Sequence, residues 1–126
     1  MDKETIYKNP VLKLSFDFAL GIIQYCELLE SDRKFVLARQ LLKSGTSIGA
    51  NAIEAQNAES KPDFVHKFKI ILKELRETNV SLKIIKRKPL TKKIELVDIA
   101  MKECNELISI FVKSIETANR NKLKVS

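Results

Sequence analysis

The sequence predicts an all-α protein, a four-helix bundle of up-down-up-down topology that forms a single domain over residues 1–126. The chain contains only 3 Gly and 3 Pro, and its richness in Lys, Glu, Leu and Ile favours long helices. Apolar residues recur at three- and four-residue spacing in four segments, which capping residues and prolines separate. We therefore predict helices at about residues 10–30, 33–56, 61–88 and 91–119.

The first predicted helix begins at Asn9-Pro10, because Asn accepts hydrogen bonds from free backbone N–H groups and Pro fits the first helical position. It carries two adjacent apolar rows, which are Leu12, Phe16, Ala19, Ile22, Ile23, Cys26 and Leu29, and Val11, Leu14, Phe18, Tyr25 and Leu28. One bundle core needs a single stripe of roughly 100°. The greater width predicts that this helix is covered on two sides, and therefore that the protein self-associates.

The second helix follows the break at Ser31-Asp32. Its predicted apolar stripe is Phe35, Ala38, Leu41, Leu42, Ile48 and Ala52. Gly45 and Gly49 fall on one face with Ala52. Each glycine in a helix interior costs about 1 kcal/mol relative to alanine. Something must offset that cost, and the close approach of a neighbouring helix is the ordinary reason.

The third helix begins at the capping sequence Ser60-Lys61-Pro62-Asp63, and Pro89 ends it. We expect Thr91 to cap the fourth helix. The predicted buried faces are Phe64, Phe68, Ile71, Leu72, Leu75, Asn79, Leu82 and Ile85 on the third helix, and Ile94, Val97, Met101, Cys104, Leu107, Ile108, Phe111, Ile115 and Ala118 on the fourth.

The net charge of +7 is concentrated in about a quarter of the chain: residues 61–93 hold 11 basic and 3 acidic groups. At 100° per residue, five cations of the third helix fall within about 40° of one line, on the side away from the predicted core. We call these residues and the neighbouring cations the basic ridge: Lys69, Lys73, Arg76, Lys83, Lys86, Arg87, Lys88, Lys92 and Lys93. Such a ridge can bind the phosphates of a nucleic acid, although a run of charge is also the ordinary solvated face of a helix.

Nothing in the sequence predicts catalysis, a metal site, a cofactor or a small-molecule substrate. The single histidine, His66, has no partner at a spacing typical of nucleophilic catalysis. A helical di-metal centre needs Glu-x-x-His pairs on two helices, whereas Asp63 stands three residues before His66. An enzyme that uses Glu54, His66 and Glu77 as acid–base groups is the weakest alternative.

The sequence also predicts a cytoplasmic protein with no membrane partner. No apolar run approaches the ~18 residues that a membrane-spanning helix needs, and the first residues lack the apolar core of a signal peptide. Cys26 and Cys104 stand far apart among core-type residues. In a reducing compartment we expect both to be buried thiols.

Four polar residues near the apolar stripes of helices two and three form a second predicted feature. Buried polar groups are costly unless they are hydrogen-bonded. One hypothesis is that a polar seam fixes the register of the two helices, and its members are Asn51, Glu54, Glu74 and Glu77. Alternatively, the acids pair with basic neighbours on helix three or with a neighbouring subunit.

Several segments resemble a known bacterial family. They are SIGANAIEA at 47–55, AESK at 58–61, DFVHK at 63–67, and KELRETN at 73–79 with Leu82. Together they resemble the four-helix bundle protein family, also called the 23S rRNA intervening-sequence protein family. The resemblance implies up-and-down four-helix subunits that assemble as a ring-like homopentamer, without catalytic residues. The resemblance extends to a related group, the accessory variability proteins of diversity-generating retroelements, which form similar basic pentameric barrels that bind nucleic acid and a reverse transcriptase.

Two functions remain open from the sequence. The first is a non-catalytic homo-oligomeric scaffold that binds RNA or DNA through the basic ridge. The alternative is a protein-interaction adaptor that contacts an acidic protein through the same ridge and has no nucleic-acid role. Salt-sensitive binding of nucleic acid would favour the first. A protein partner that copurifies after nuclease treatment would favour the second.

Overall fold

Four α-helices make up the fold, and the computed structural model describes residues 9–87 and 94–125, with side chains for 9–87 and 95–120. The helices are α1 (Pro10–Ser31), α2 (Phe35–Ala55), α3 (Lys61–Arg87) and α4 (Ile94–Val125). Each packs against the next one along the chain, and α1 also packs against α4, so that the four surround one core. The predicted all-α four-helix bundle is therefore confirmed. Pro89 and Thr91 lie outside the described residues.

The caps of α1 and α3 have the predicted form. The Asn9 side chain accepts hydrogen bonds from the N–H groups of Val11 at 3.0 Å and Leu12 at 3.2 Å. At α3, Ser60 Oγ accepts from the Asp63 N–H at 3.2 Å, and the Asp63 carboxylate accepts from a backbone N–H one residue before Ser60, at 3.1 Å. Each cap satisfies N–H groups that have no partner within the helix.

The turn between α1 and α2 occupies residues 32–34, one residue more than predicted, and within it Arg33 adopts a left-handed backbone with φ of 61°. The Lys34 N–H reaches back to the Leu29 carbonyl at 2.8 Å, which closes α1 with a Schellman-type turn. Consequently α2 begins at Phe35 and not at about Arg33. Phe35, expected in the buried stripe, is 56% exposed because it stands at the very start of the helix.

Close packing of α2 against α1 explains the two glycines of α2. A Cβ atom on Gly45 would lie 2.5 Å from Ile22 Cγ2, and one on Gly49 would lie 3.2 Å from Ala19 Cβ. Cβ atoms do not tolerate the first distance, so only glycine lets the two helices approach this closely. The predicted close approach is therefore confirmed, and its partner is α1.

The buried face of α1 lies between the two predicted apolar rows. Phe18 and Tyr25, assigned to the second row, are buried, whereas Phe16 and Ile23 of the first row are only half-buried. Leu14, also from the second row, remains 42% exposed. In the single subunit, part of the apolar surface of α1 therefore has no cover.

Both cysteines are free thiols in the core, as predicted. Cys26 Sγ donates to the Ala38 carbonyl at 3.3 Å, and Cys104 Sγ donates to the Leu75 carbonyl at 3.2 Å. Burial raises the pKa of Cys26 to about 11 and that of Cys104 to about 12. Each thiol stays protonated and packs as a small hydrophobic group.

Candidate nucleic-acid interface

The basic ridge follows the outward side of α3. The opposite side of this helix is held in the core by Phe68, Ile71, Leu72, Leu75, Leu82 and Ile85. The five cations that the helical period places on one line are exposed, and they are Lys69, Lys73, Arg76, Lys83 and Arg87. None of the ion pairs between described residues involves any of these five. From Lys69 to Arg87 the line is about 27 Å long at 1.5 Å per residue.

One ridge cation is paired. Lys86 Nζ lies 2.7 Å from an Asp98 carboxylate oxygen, so the first turns of α4 supply an acid to the end of α3. The sequence of α3 alone does not predict this contact, because Asp98 belongs to the neighbouring helix. The remaining predicted ridge members, Lys88, Lys92 and Lys93, lie outside the described residues.

The predicted polar seam is not formed within the described subunit. Asn51 donates to the Ser47 carbonyl of its own helix at 2.9 Å, and Glu54 and Glu77 are exposed. No hydrogen bond or ion pair among the described side chains joins any two of the four predicted members, Asn51, Glu54, Glu74 and Glu77. Register accounts for the separation from Glu77: with Thr78 beside Ser44, the antiparallel pairing of α2 and α3 sets Asn51 and Glu54 about two turns away from Glu77.

A pair of hydroxyls makes the buried polar contact between α2 and α3 instead. Thr78 Oγ1 donates to Ser44 Oγ at 2.9 Å, and Ser44 Oγ donates to the Leu41 carbonyl at 3.2 Å. Both residues are buried. Helical periodicity does not predict this pair, although Ser44 precedes Gly45 on the close-packed helix and Thr78 stands next to Asn79.

Glu74 lies at the edge of the α2–α3 contact, in a polar groove beside Lys43, Ser44 and Lys73. Burial raises the pKa of Glu74, and the charge of Glu77 raises it further, while Lys73 and Lys43 oppose the shift. Glu74 and Glu77 therefore flank the ridge on its α2 side. Neither forms an ion pair with a ridge cation among the described residues.

An open groove of about 690 Å³ runs beside the ridge, between α3 and α4. Leu72, Val80 and Ile115 give it apolar surface, and ridge cations border it on α3. Its full lining is Lys69, Leu72, Lys73, Arg76, Glu77, Val80 and Ile115. A polyanion on the ridge would therefore have apolar surface directly beside it.

A different face, between α1 and α4, is acidic and apolar. Glu103 lines two grooves there, one of which also contains Leu14, Asp17 and Glu106. Burial raises the pKa of Glu103, and the charges of Glu106 and Asp17 raise it further. The two charged faces of the subunit are thus separate, with cations on α3 and carboxylates at the α1–α4 contact.

The residues considered for catalysis are not brought together. His66 is exposed and lines a small groove with Lys61, Val65 and Asn119. Glu54 lies on α2 and lines none of the grooves described above. Within residues 9–87 and 95–120, no group of three His, Cys, Asp or Glu side chains is placed to hold a metal ion. None of the helices in the described part of the chain is long and apolar enough to cross a bilayer.

Fold and site together define a helical bundle protein with a cationic helix face and no assembled catalytic group among its described residues. The chain belongs to the 23S rRNA-intervening sequence protein family, whose model matches residues 7–113. The resemblance found in residues 47–82 is therefore confirmed. Neither this family description nor that of the structural neighbour below names an enzymatic activity.

A solved structure supports the same assignment. It is the crystal structure of a protein of unknown function from the S23 ribosomal protein family of Bacteroides thetaiotaomicron, 34% identical to this chain, with a TM-score of 0.78. The match covers 84% of this chain and 95% of that one. No functionally curated protein matches the chain.

Proposed function

We propose that the protein is a non-catalytic, homo-oligomeric scaffold that binds RNA or DNA through the basic ridge of α3. One observation carries the proposal: five ridge cations are exposed along one helix and have no carboxylate partner among the described residues. Cations with salt-bridge partners are already neutralised, whereas unpaired ones are available to phosphates. Each phosphate that binds such a cation releases condensed counterions, which drives association.

The distribution of charge favours a polyanion over a small anion. The unpaired cations extend over about 27 Å of one straight helix, so they match a ligand whose charges are also in a row. The groove beside them is open and is lined by three of the five, Lys69, Lys73 and Arg76. A nucleic-acid backbone carries its charges in such a row. Binding it requires no catalytic group.

Charge reversal on the ridge tests the proposal. The triple substitution Lys73→Glu, Arg76→Glu and Lys83→Glu should abolish binding of a labelled oligonucleotide, measured by fluorescence anisotropy. A matched control reverses three exposed cations on the outward sides of α2 and α4, which are Arg39, Lys102 and Lys113. The control changes the net charge equally and should retain most binding. Equal losses in both variants would show a net-charge effect and would contradict a ridge-specific site.

The proposed assembly rests on the uncovered apolar surface of α1 and α4. Leu14 on α1, and Leu96 and Ile99 on α4, are exposed and line the grooves at the α1–α4 contact. A second copy of the chain is the occupant we expect there, as the double apolar face of α1 predicts, and the ring-like homopentamer stays a prediction. Mass measurement in solution should give an oligomer, and Ile99→Lys should weaken it.

The same measurement tests whether the ridge is itself an interface between subunits. The carboxylates at the α1–α4 contact are complementary in charge to the ridge, so one subunit could cover the ridge of the next. If the triple ridge variant loses its oligomeric state, the ridge binds a neighbouring subunit. If the mass is unchanged and nucleic-acid binding is lost, the ridge faces outward in the assembly, as we propose. An acidic protein partner that survives nuclease treatment would favour the adaptor role instead.

A further inference from the structure

The ridge is bordered by an uncharged strip that belongs to α4. Residues at three- and four-residue spacing form one row of this helix, and they are Asp98, Met101, Asn105, Ile108, Val112 and Ile115. Asp98 contacts α3 through Lys86, and Ile115 lines the groove beside Lys69, so both ends of the row face α3. Beyond Asp98 the row carries no charge, and most of its members are apolar.

Two parallel features therefore run along the same side of the subunit. One is the line of cations on α3, and the other is the apolar groove with Leu72 and Ile115 at its floor and Val80 beside it. Val80 is 55% exposed in the middle of the cation line, where it interrupts the charge. A ligand that fills both features must present negative charge along one edge and apolar surface along the other.

Duplex and single-stranded nucleic acids differ in whether the apolar faces of their bases are accessible to a protein. A duplex presents phosphates and sugars on its outside, while the apolar faces of its bases are stacked on each other and inaccessible. A single strand exposes its base faces, which can lie against a protein surface while its phosphates follow a positively charged groove. The arrangement of charge and apolar surface in this subunit matches the single strand.

We propose that the groove binds unpaired bases of single-stranded RNA or DNA, with the phosphates of that strand along the ridge. This inference rests on the proposed function, because it assigns the class of nucleic acid to the same site. The bases contact aliphatic side chains here, since the groove lining contains no aromatic residue. Binding then depends on shape and apolar contact in the groove as well as on charge.

The experiment compares one labelled strand with the same strand annealed to its complement, once as RNA and once as DNA. The wild-type protein should bind the single strand more tightly than the duplex in at least one of the two series, and the series that shows it identifies the nucleic acid. Val80→Ser should weaken single-strand binding about fivefold through the loss of apolar contact. The salt dependence should not change, because no cation is removed.

Ile84→Ser is the matched control. Ile84 is 53% exposed on the same helix but does not line the groove, so its substitution should leave single-strand affinity unchanged. Duplex binding as tight as single-strand binding in both series, or equal effects of Val80→Ser and Ile84→Ser, would overturn the inference. In that case, loss of binding in the triple ridge variant would still support the proposed function. If the wild-type protein binds none of the oligonucleotides, both proposals are wrong.

Discussion

Lys86 Nζ lies 2.7 Å from Asp98 Oδ1, and this ion pair joins the last turn of α3 to the first turns of α4. Both side chains are about half exposed, at 48% and 50%, so the pair contributes little to stability. Its larger effect is electrostatic, because it places a carboxylate at the end of the basic ridge. The other described ridge cations have no such partner.

Asp98→Asn should therefore increase nucleic-acid affinity. The substitution leaves Lys86 unpaired and removes a negative charge from the path of the phosphates. If one more phosphate is then neutralised, the slope of log affinity against log salt should steepen by about 0.7 to 0.9. The matched control is Asp17→Asn, which releases Lys13 from a comparable exposed pair on α1. An equal gain in the control would show that only net charge matters.

The packing of α2 against α1 gives a prediction about two glycines. Gly45→Ala places a Cβ atom 2.5 Å from Ile22 Cγ2, and we expect this overpacking to destabilise the fold by about 1–3 kcal/mol. At Gly21 no atom outside its own helix lies within 4 Å of an added Cβ. Gly21→Ala should therefore stabilise the fold by about 1 kcal/mol through helix propensity. Urea unfolding of the two variants should show opposite signs, and the same sign for both would contradict the observed contact.

The buried hydroxyl pair predicts a coupling between α2 and α3. Thr78→Val keeps the shape of the side chain but removes the donor to Ser44, which we expect to cost about 1–2 kcal/mol in unfolding free energy. The double variant Ser44→Ala with Thr78→Val should be less destabilised than the sum of the single variants. Thr46→Val is the control, because the Thr46 hydroxyl is exposed and bonds only to carbonyls of its own helix. Strict additivity would mean that the two hydroxyls do not stabilise each other.

Glu103 predicts the direction of a pH effect on stability. Because burial and the neighbouring carboxylates raise its pKa above the ordinary value of 4.5, the folded state holds this proton more tightly than the unfolded state. Its contribution to stability therefore falls as pH rises from about 4.5 through the raised pKa. Glu103→Gln should have a higher Tm than wild type at pH 7, with the difference lost below pH 4.5. Glu116→Gln is the control on the same helix, because Glu116 lines neither of the two grooves that contain Glu103, and an equal gain there would show an effect of net charge alone.

Patterns within one helix could be predicted from the sequence, whereas contacts between helices could not. Asn9, Ser60 and Asp63 cap helices through residues two to four positions away, so their roles follow from local sequence. The ion pair of Lys86 with Asp98 and the hydroxyl pair of Thr78 depend on which residues face each other across two helices. That register is set by packing of the whole core, to which Gly45 contributes through its contact with α1.

The two apolar rows of α1 show that the rotation of a helix within the bundle also could not be predicted from its own sequence. Their width predicts two covered faces, but the buried face is centred between the rows, near Ser15 and Ile22, with Phe18 and Tyr25 at one edge. Helical periodicity fixes the relative angles of side chains, while their rotation about the bundle axis depends on the neighbouring helices. The prediction that Phe35 is buried is wrong for a related reason. The left-handed conformation of Arg33 makes Phe35 the first residue of α2, where its side chain is exposed.

The salt dependence of nucleic-acid binding tests the central claim most directly. If the five unpaired ridge cations each neutralise one phosphate of a single strand, log affinity should fall against log salt with a slope of about −3 to −4 per subunit. Reversal of Lys73, Arg76 and Lys83 should eliminate measurable binding, while reversal of Arg39, Lys102 and Lys113 should keep the slope. Binding that is insensitive to salt, or a slope that the ridge variant leaves unchanged, would contradict the account.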